Sequence, residues 1–165
     1  SADLEELAVS NVAVVSAGVK AILDLPKTLE VLETKGVPVI GFQTDDLPAF
    51  YTRKSGLKLV ARADSPNEVA SIMKAKWECD IDGSILVMNP IPAEFEADAD
   101  IINESIDEAL VLADKKGVCG KEITPFILAH VAKVTGGDSL AANIALVENN
   151  ARVGAQVAKA YSLLT

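Results

Sequence analysis

The chain has 165 residues, of which 50% are apolar and 4% aromatic, and it carries a formal net charge of −9. This length fits one ordinary domain, and the acidic excess argues against binding along the phosphate backbone of nucleic acid. One histidine and two isolated cysteines argue against a histidine-rich metal centre and a disulfide framework. The two isolated thiols indicate a reduced, cytoplasmic protein. No apolar run approaches the length that spans a bilayer, so no membrane partner is expected.

The first half of the chain predicts strands that alternate with a helix. VAVVSAG at 12–18 predicts a buried strand that ends at a glycine turn. A helix is expected over 20–35, with Pro26 as a point where it could break and Gly36 as its end. PVIGFQT at 38–44 and LKLVARA at 57–63 predict two further strands.

The second half predicts one more strand, SILVMNP at 84–90, and four helices. The helices are expected to begin at Ser65-Pro66, to run through Ile102 to Gly117, to begin at Thr124-Pro125, and to extend from Asp138 or Ser139 to about Tyr161. This alternation predicts an α/β fold, with a largely parallel or mixed sheet flanked by helices and a helical carboxyl-terminal segment. Residues 1–165 show no linker or repeat and are expected to form a single domain.

Lys20 is the first candidate for chemistry. It follows Gly18 at the predicted carboxyl end of a strand, which is where open α/β sheets bind their ligands. Partial burial and a nearby helix start would favour the neutral amine that a Schiff-base nucleophile requires. From the local sequence alone, the favoured interpretation is a surface lysine with its stem packed and its ammonium group in water.

Three other segments combine a structural and a functional interpretation. In NPIP, Asn89 follows a strand and either ends it or lines a rigid pocket wall. In GKEITPF, helix initiation is a sufficient explanation of the Thr-Pro pair. A Gly-Gly turn before the last helix can cradle an anion, and Asn143 shares a helix face with Asn150 and can recognise an amide-like base edge.

Seven segments occur in order along the chain: SADLEELA, VVSAGVKAILDL, LETKGVPVIGFQT, LPAFY, NPIP, GKEITPFIL and TGGDSLAANIALVENNA. Their combination resembles the pseudouridine-5′-phosphate glycosidase family, also called the indigoidine synthase A family. The resemblance covers essentially the whole chain and rests on the set of segments, since no single one is specific. It implies reversible cleavage of the C–C glycosidic bond of pseudouridine 5′-phosphate to uracil and ribose 5-phosphate.

The resemblance also implies the site residues. Lys20 matches the family lysine that attacks C1′ of the sugar and forms an imine adduct as the ring opens. Ser1, Ala2 and Asp3 match a short phosphosugar-binding segment, in which Asp3 could move protons. Asn143 matches an asparagine near the base and the reacting centre. Family members use a divalent metal, typically manganese, and assemble as homotrimers.

The chain departs from the family pattern at its start. The resemblance implies a large region before Ser-Ala-Asp that carries the general-acid glutamate, a second lysine and the main metal-ligating aspartate. We therefore interpret the chain as the carboxyl-terminal part of such an enzyme, which associates with the missing amino-terminal part and is inactive alone. Two alternatives remain open: a non-catalytic α/β interaction module that keeps the scaffold, and a Schiff-base enzyme of the aldolase type.

Overall fold

The structure is a computed structural model and describes residues 2–19 and 23–164. Within these ranges the α-helices are α1 (Ala2–Val9), α2 (Leu25–Thr34), α3 (Pro66–Glu78), α4 (Ala99–Lys115), α5 (Ile123–Val134) and α6 (Asp138–Ser162). The strands are β1 (Ala13–Ser16), β2 (Val39–Phe42), β3 (Ala61–Ala63) and β4 (Ile85–Met88). Short 3₁₀ turns at Ala93–Phe95 and Gly120–Glu122 precede α4 and α5.

The strands form one parallel sheet in the order β1-β4-β2-β3. Ala13 is opposite Ile85, and Ile40 is opposite both Val87 and Ala61. Parallel strands need long crossovers, and the intervening helices supply them while covering the apolar strands. The predicted α/β class with a parallel sheet is confirmed.

Side chains alternate between the two faces of the sheet. On one face, Val14 and Met88 pack in a core with residues of α1 and α2, including Leu7 and Leu32. On the other face, the core contains Ala13, Val15, Ile85, Val87 and residues of α3 and α6, which are Val69, Met73, Val153 and Val157. Because successive side chains of a strand point to opposite faces, the side chains of β1 and β4 are divided between the two helical layers.

A third core lies beyond the carboxyl ends of β1 and β4. Ala17 and Ile91 leave the sheet and pack in one cluster with Ile102 of α4, Ile127 of α5 and Leu146 of α6. The predicted helical carboxyl-terminal segment is confirmed, and it covers the strand ends on which the sequence places its candidate residues.

Two predicted helix starts are wrong in detail. Helix α5 begins at Ile123, after a 3₁₀ turn, so the Thr-Pro pair lies inside the first turn and supplies no side-chain cap. The N-cap of the last helix is Gly137, which has a φ of +100° and offers no side-chain hydrogen bond. Neither Asp138 nor Ser139 is the N-cap. Both errors have one cause. The first N–H groups of a helix lack intrahelical partners, so capping residues and proline are accepted at several positions of the first turn.

Other local predictions have mixed outcomes. Ser65 caps α3 as predicted, with its hydroxyl accepting a hydrogen bond from the N–H of Glu68 at 3.2 Å. Pro26 does not break α2 but lies in its first turn, behind the cap that Asp24 provides. The predicted strand at 57–63 is regular only over its last three residues.

Candidate active site at the carboxyl end of strand β1

A cavity of about 610 Å³ lies between α1, α2 and the face of the sheet that β1 contributes. Its walls are mainly apolar and include Leu4, Leu7, Val12, Val14 and Leu86. Asp3 lines it from the start of α1, and Gly18 and Val19 line it from the end of β1. The cavity therefore brings together the two chain segments from which the sequence predicted substrate binding and the nucleophile.

The turn after β1 is held by its neighbours in a single conformation. Gly18 has a φ of +100°, and a Cβ at this position would lie 1.8 Å from the carbonyl oxygen of Pro48. The N–H of Phe50 donates to the carbonyl of Ala17 at 3.1 Å, which ties the same turn to residues 47–52. Because only glycine fits so close to another backbone, this contact fixes the direction in which the chain leaves β1.

Lys20 and Ser1 lie outside the described residues, so the structure gives no position for the predicted nucleophile or for the first predicted substrate contact. Ala2 and Asp3 are exposed and form the first turn of α1. A carboxylate is favoured at this end of a helix because the helix dipole is positive there. Lys20 immediately follows Val19, which is on the cavity wall.

Asn143 lies in a different environment. It is half-buried in the first half of α6, and it is not among the described residues that line the cavity. Its neighbour Ala142 belongs to the buried cluster that also contains Ala17. The segment that leads to Lys20 therefore contributes Gly18 to the cavity and Ala17 to the core beside Asn143.

The remaining asparagines of this region join β4 to α6. Asn89 is 4% exposed, and its Nδ2 donates to Oδ1 of Asn150 at 2.9 Å. Asn149 donates to the carbonyl of Pro90 at 3.4 Å. A buried side-chain amide needs such partners, so the structure favours the structural interpretation of NPIP over a pocket wall.

The anion cradle considered for the Gly-Gly turn is already occupied by protein groups. The N–H of Asp138 donates to the carbonyl of Thr135 at 3.1 Å, and the N–H of Ser139 donates to the Thr135 hydroxyl at 3.3 Å. Tyr51 is buried beside this turn, and burial raises the pKa of its phenol, while the Ser139 side chain offsets part of the rise. The phenol therefore stays protonated at neutral pH.

Sequence reasoning missed several polar residues of the cavity. Besides the predicted Asp3, its described wall carries the carboxylates of Glu6 and Asp24 and the ammonium group of Lys27. Asp24, Lys27 and Thr28 recur at helical spacing at the start of α2, which is the one signal that could have identified them. Lys27 is the second amine for which a role in imine chemistry has to be tested.

The described residues do not fit a metal centre, because residues 2–19 and 23–164 contain no group of three histidine, cysteine, aspartate or glutamate side chains close enough to hold an ion. In the same part of the chain, none of the helices combines the length and the apolar character that a membrane span requires.

The fold and the cavity define a class: a parallel α/β domain with a pocket along one face of an edge strand. The pocket extends to the carboxyl end of that strand, where open sheets of this kind bind small molecules. Comparison with known sequences makes this more specific. The sequence model of the family described as "Indigoidine synthase A like protein" matches residues 1–160, and the chain belongs to this family.

Curated relatives match all or nearly all of the chain. It is 53% identical over 165 residues to the pseudouridine-5′-phosphate glycosidase of Petrotoga mobilis, covering 100% of the chain and 54% of that protein. It is 57% identical over 158 residues to the protein of the same name from Caldanaerobacter subterraneus subsp. tengcongensis, covering 96% of the chain and 52% of that protein. The chain thus spans about half the length of these relatives.

Solved structures agree with the fold. The prealnumycin C-glycosynthase AlnA in complex with ribulose 5-phosphate has a TM-score of 0.89 and 33% identity, over 99% of this chain and 54% of AlnA. An indigoidine synthase A-like protein from Thermotoga maritima has a TM-score of 0.88 and 36% identity, over 99% of this chain and 53% of that protein.

Proposed function

We propose that this chain is the lysine-bearing part of a pseudouridine-5′-phosphate glycosidase, which cleaves the C–C bond between uracil and the sugar. The observation that carries the proposal is that Asp3 and the Gly18–Val19 turn line one cavity, although 14 residues separate Asp3 from Gly18. The relatives named above and the sugar phosphate bound to AlnA support the substrate class.

In the proposed reaction, the neutral amine of Lys20 forms a bond to C1′ while the bond from C1′ to the ring oxygen breaks, and that oxygen takes up a proton. The nitrogen lone pair then forms a C1′=N imine as the C–C bond breaks. The electron pair of that bond passes to the uracil carbon, which is protonated. Water hydrolyses the imine, which releases ribose 5-phosphate and restores the lysine.

Each residue of the chain has a separate proposed task. Asp3 on the cavity wall accepts and returns protons as the ring opens, and Ser1 and Ala2 contact the phosphosugar. Asn143 orients the base, because its side-chain amide can donate and accept together. The acid that protonates the ring oxygen comes from the part of the family's polypeptide that this chain does not cover, so the chain alone does not turn over substrate.

A divalent metal, such as manganese, is proposed to act only in the complete enzyme. The described residues do not fit such an ion, as noted above, and its ligands would come from the uncovered part. No step of the proposed chemistry within this chain passes through the metal.

The test is to trap the imine. The chain is co-expressed with the part of the Petrotoga mobilis relative that it does not cover, incubated with ribose 5-phosphate and reduced with borohydride. We expect a stable adduct on Lys20 with the mass of ribose 5-phosphate less one oxygen atom, and we expect Lys20→Arg to abolish it. Lys27→Arg is the matched control, because this lysine lines the cavity to which Gly18 and Val19 also contribute.

The two variants separate the possible results. An adduct that persists in Lys20→Arg and disappears in Lys27→Arg would move the nucleophile to α2. An active complex without any adduct on the chain would contradict the imine mechanism. A complex that binds ribose 5-phosphate but neither cleaves substrate nor forms the adduct would support the non-catalytic module instead.

A further inference from the structure

Strand β1 lies at one edge of the sheet and pairs only with β4 within the described ranges. The carbonyls of Val12 and Ser16 accept hydrogen bonds from the β4 side, at 3.0 and 2.8 Å. Backbone groups alternate in direction along a strand, so the N–H and C=O groups of Ala13 and Val15 face the open edge. These groups can pair with a further strand without disturbing β4.

The surface beside this edge is apolar. Val12 and Leu23 expose 47% and 49% of their surface and line the cavity of about 610 Å³, and Val9 at the end of α1 exposes 69%. An open strand edge next to a contiguous apolar cavity is typical of an interaction surface, because both features are costly to leave in water.

The opposite edge of the sheet has the reverse character. Strand β3 has only three residues, and Arg62 at its centre forms ion pairs with Asp45 at 2.8 Å and Asp64 at 2.7 Å. A short, charged edge resists pairing with other strands, whereas β1, with the sequence AVVS, carries no charge. The sequence therefore protects one edge of the sheet and leaves the other open.

The length of the relatives indicates the occupant. The chain spans 54% of the Petrotoga mobilis glycosidase and 52% of the Caldanaerobacter one. We infer that the β1 edge, with the exposed Val12 beside it, is the docking surface for the part of the family's polypeptide that this chain does not cover. An extended segment of that part pairs with Ala13 and Val15 and inserts apolar side chains beside Val12. The inference rests on the proposed function in one respect, which is that the enzyme requires the part of the polypeptide that this chain does not cover.

The experiment measures binding, not turnover. The affinity-tagged chain is co-expressed with the uncovered part of the Petrotoga mobilis relative, and co-purification and amide hydrogen exchange are measured. We expect a one-to-one complex in which the amides of Ala13 and Val15 exchange about tenfold or more slowly than in the chain alone. Val12→Asp should weaken binding by about tenfold or more, because it buries an unpaired carboxylate.

The matched control is Val60→Asp, because Val60 precedes β3 at the protected edge and is fully exposed. This variant should bind as the unchanged chain does. Circular dichroism checks that Val12→Asp is folded. If it is not, the inference is judged by amide exchange of Ala13 and Val15 in the complex of the unsubstituted chain.

Three outcomes would overturn the inference: no complex, a complex without protection of Ala13 and Val15, or protection that arises from a second copy of the chain alone. Failure of the proposed function has a different signature. If the β1 amides are protected in the complex but no lysine adduct forms, the docking surface is supported and the glycosidase proposal is contradicted.

Discussion

Gly18→Ala is the most direct test of how the cavity is built. Alanine at a φ of +100° costs about 1–2 kcal/mol by itself. Its Cβ would lie 1.8 Å from the carbonyl oxygen of Pro48, and contacts under 3.0 Å are not tolerated, so the two backbones must separate by about 1.2 Å. That shift breaks the hydrogen bond from Phe50 to Ala17, which is worth about 1 kcal/mol.

The expected total is a loss of about 2–3 kcal/mol in the free energy of unfolding, measured by urea denaturation of the 165-residue chain. Gly137→Ala is the matched control, because Gly137 has the same φ of +100° and a Cβ there meets nothing within 4 Å. We expect it to lose only about 1–2 kcal/mol. If both variants lose the same amount, the close approach to Pro48 does not constrain the turn and the reasoning is wrong.

Three further changes test polar contacts that stabilise the fold. Lys76→Met should cost about 2–3 kcal/mol, because the buried ammonium group donates to the carbonyls of residues 81–83 at 2.8, 2.5 and 2.7 Å. Burial lowers the pKa of Lys76, so the folded chain loses this proton before the unfolded chain does. The unfolding free energy of the unchanged chain should therefore rise relative to Lys76→Met as pH increases toward 10.5. Asn89→Ala should cost about 1–3 kcal/mol by leaving Asn150 without its partner, and Ser65→Ala should cost about 1 kcal/mol by removing the cap of α3.

The changes at Lys76 and Asn89 each have a control measured by the same urea denaturation. Lys159→Met alters an exposed lysine of α6 and should change stability by less than about 0.5 kcal/mol. Asn149→Ala removes a longer hydrogen bond of 3.4 Å and should cost less than Asn89→Ala. Equal losses within either pair would show that burial and hydrogen-bond geometry do not decide these energies.

Local signals were reliable where a few adjacent residues satisfy one another. Ser65 and Glu68 complete the start of α3 within four residues, and the structure agrees with the prediction. The start of α5 was predicted two residues too late, at Thr124-Pro125 instead of Ile123, because proline without an N–H is tolerated throughout the first turn. Helix α1 was not predicted at all, since its eight residues have a weak pattern and depend on packing through Leu4 and Leu7.

The sequence by itself determined the α/β class, because apolar strands alternate with capped helices, and its motifs identified the family that the comparisons confirm. It also selected Lys20 and Ser1, which lie outside the described residues and whose roles stay predictions. Only the tertiary structure decided that β1 pairs with β4 at an open edge, and that Asp3 faces the same cavity as Gly18. Strand order and cavity walls depend on contacts between residues far apart in the chain, whose energies no local pattern contains.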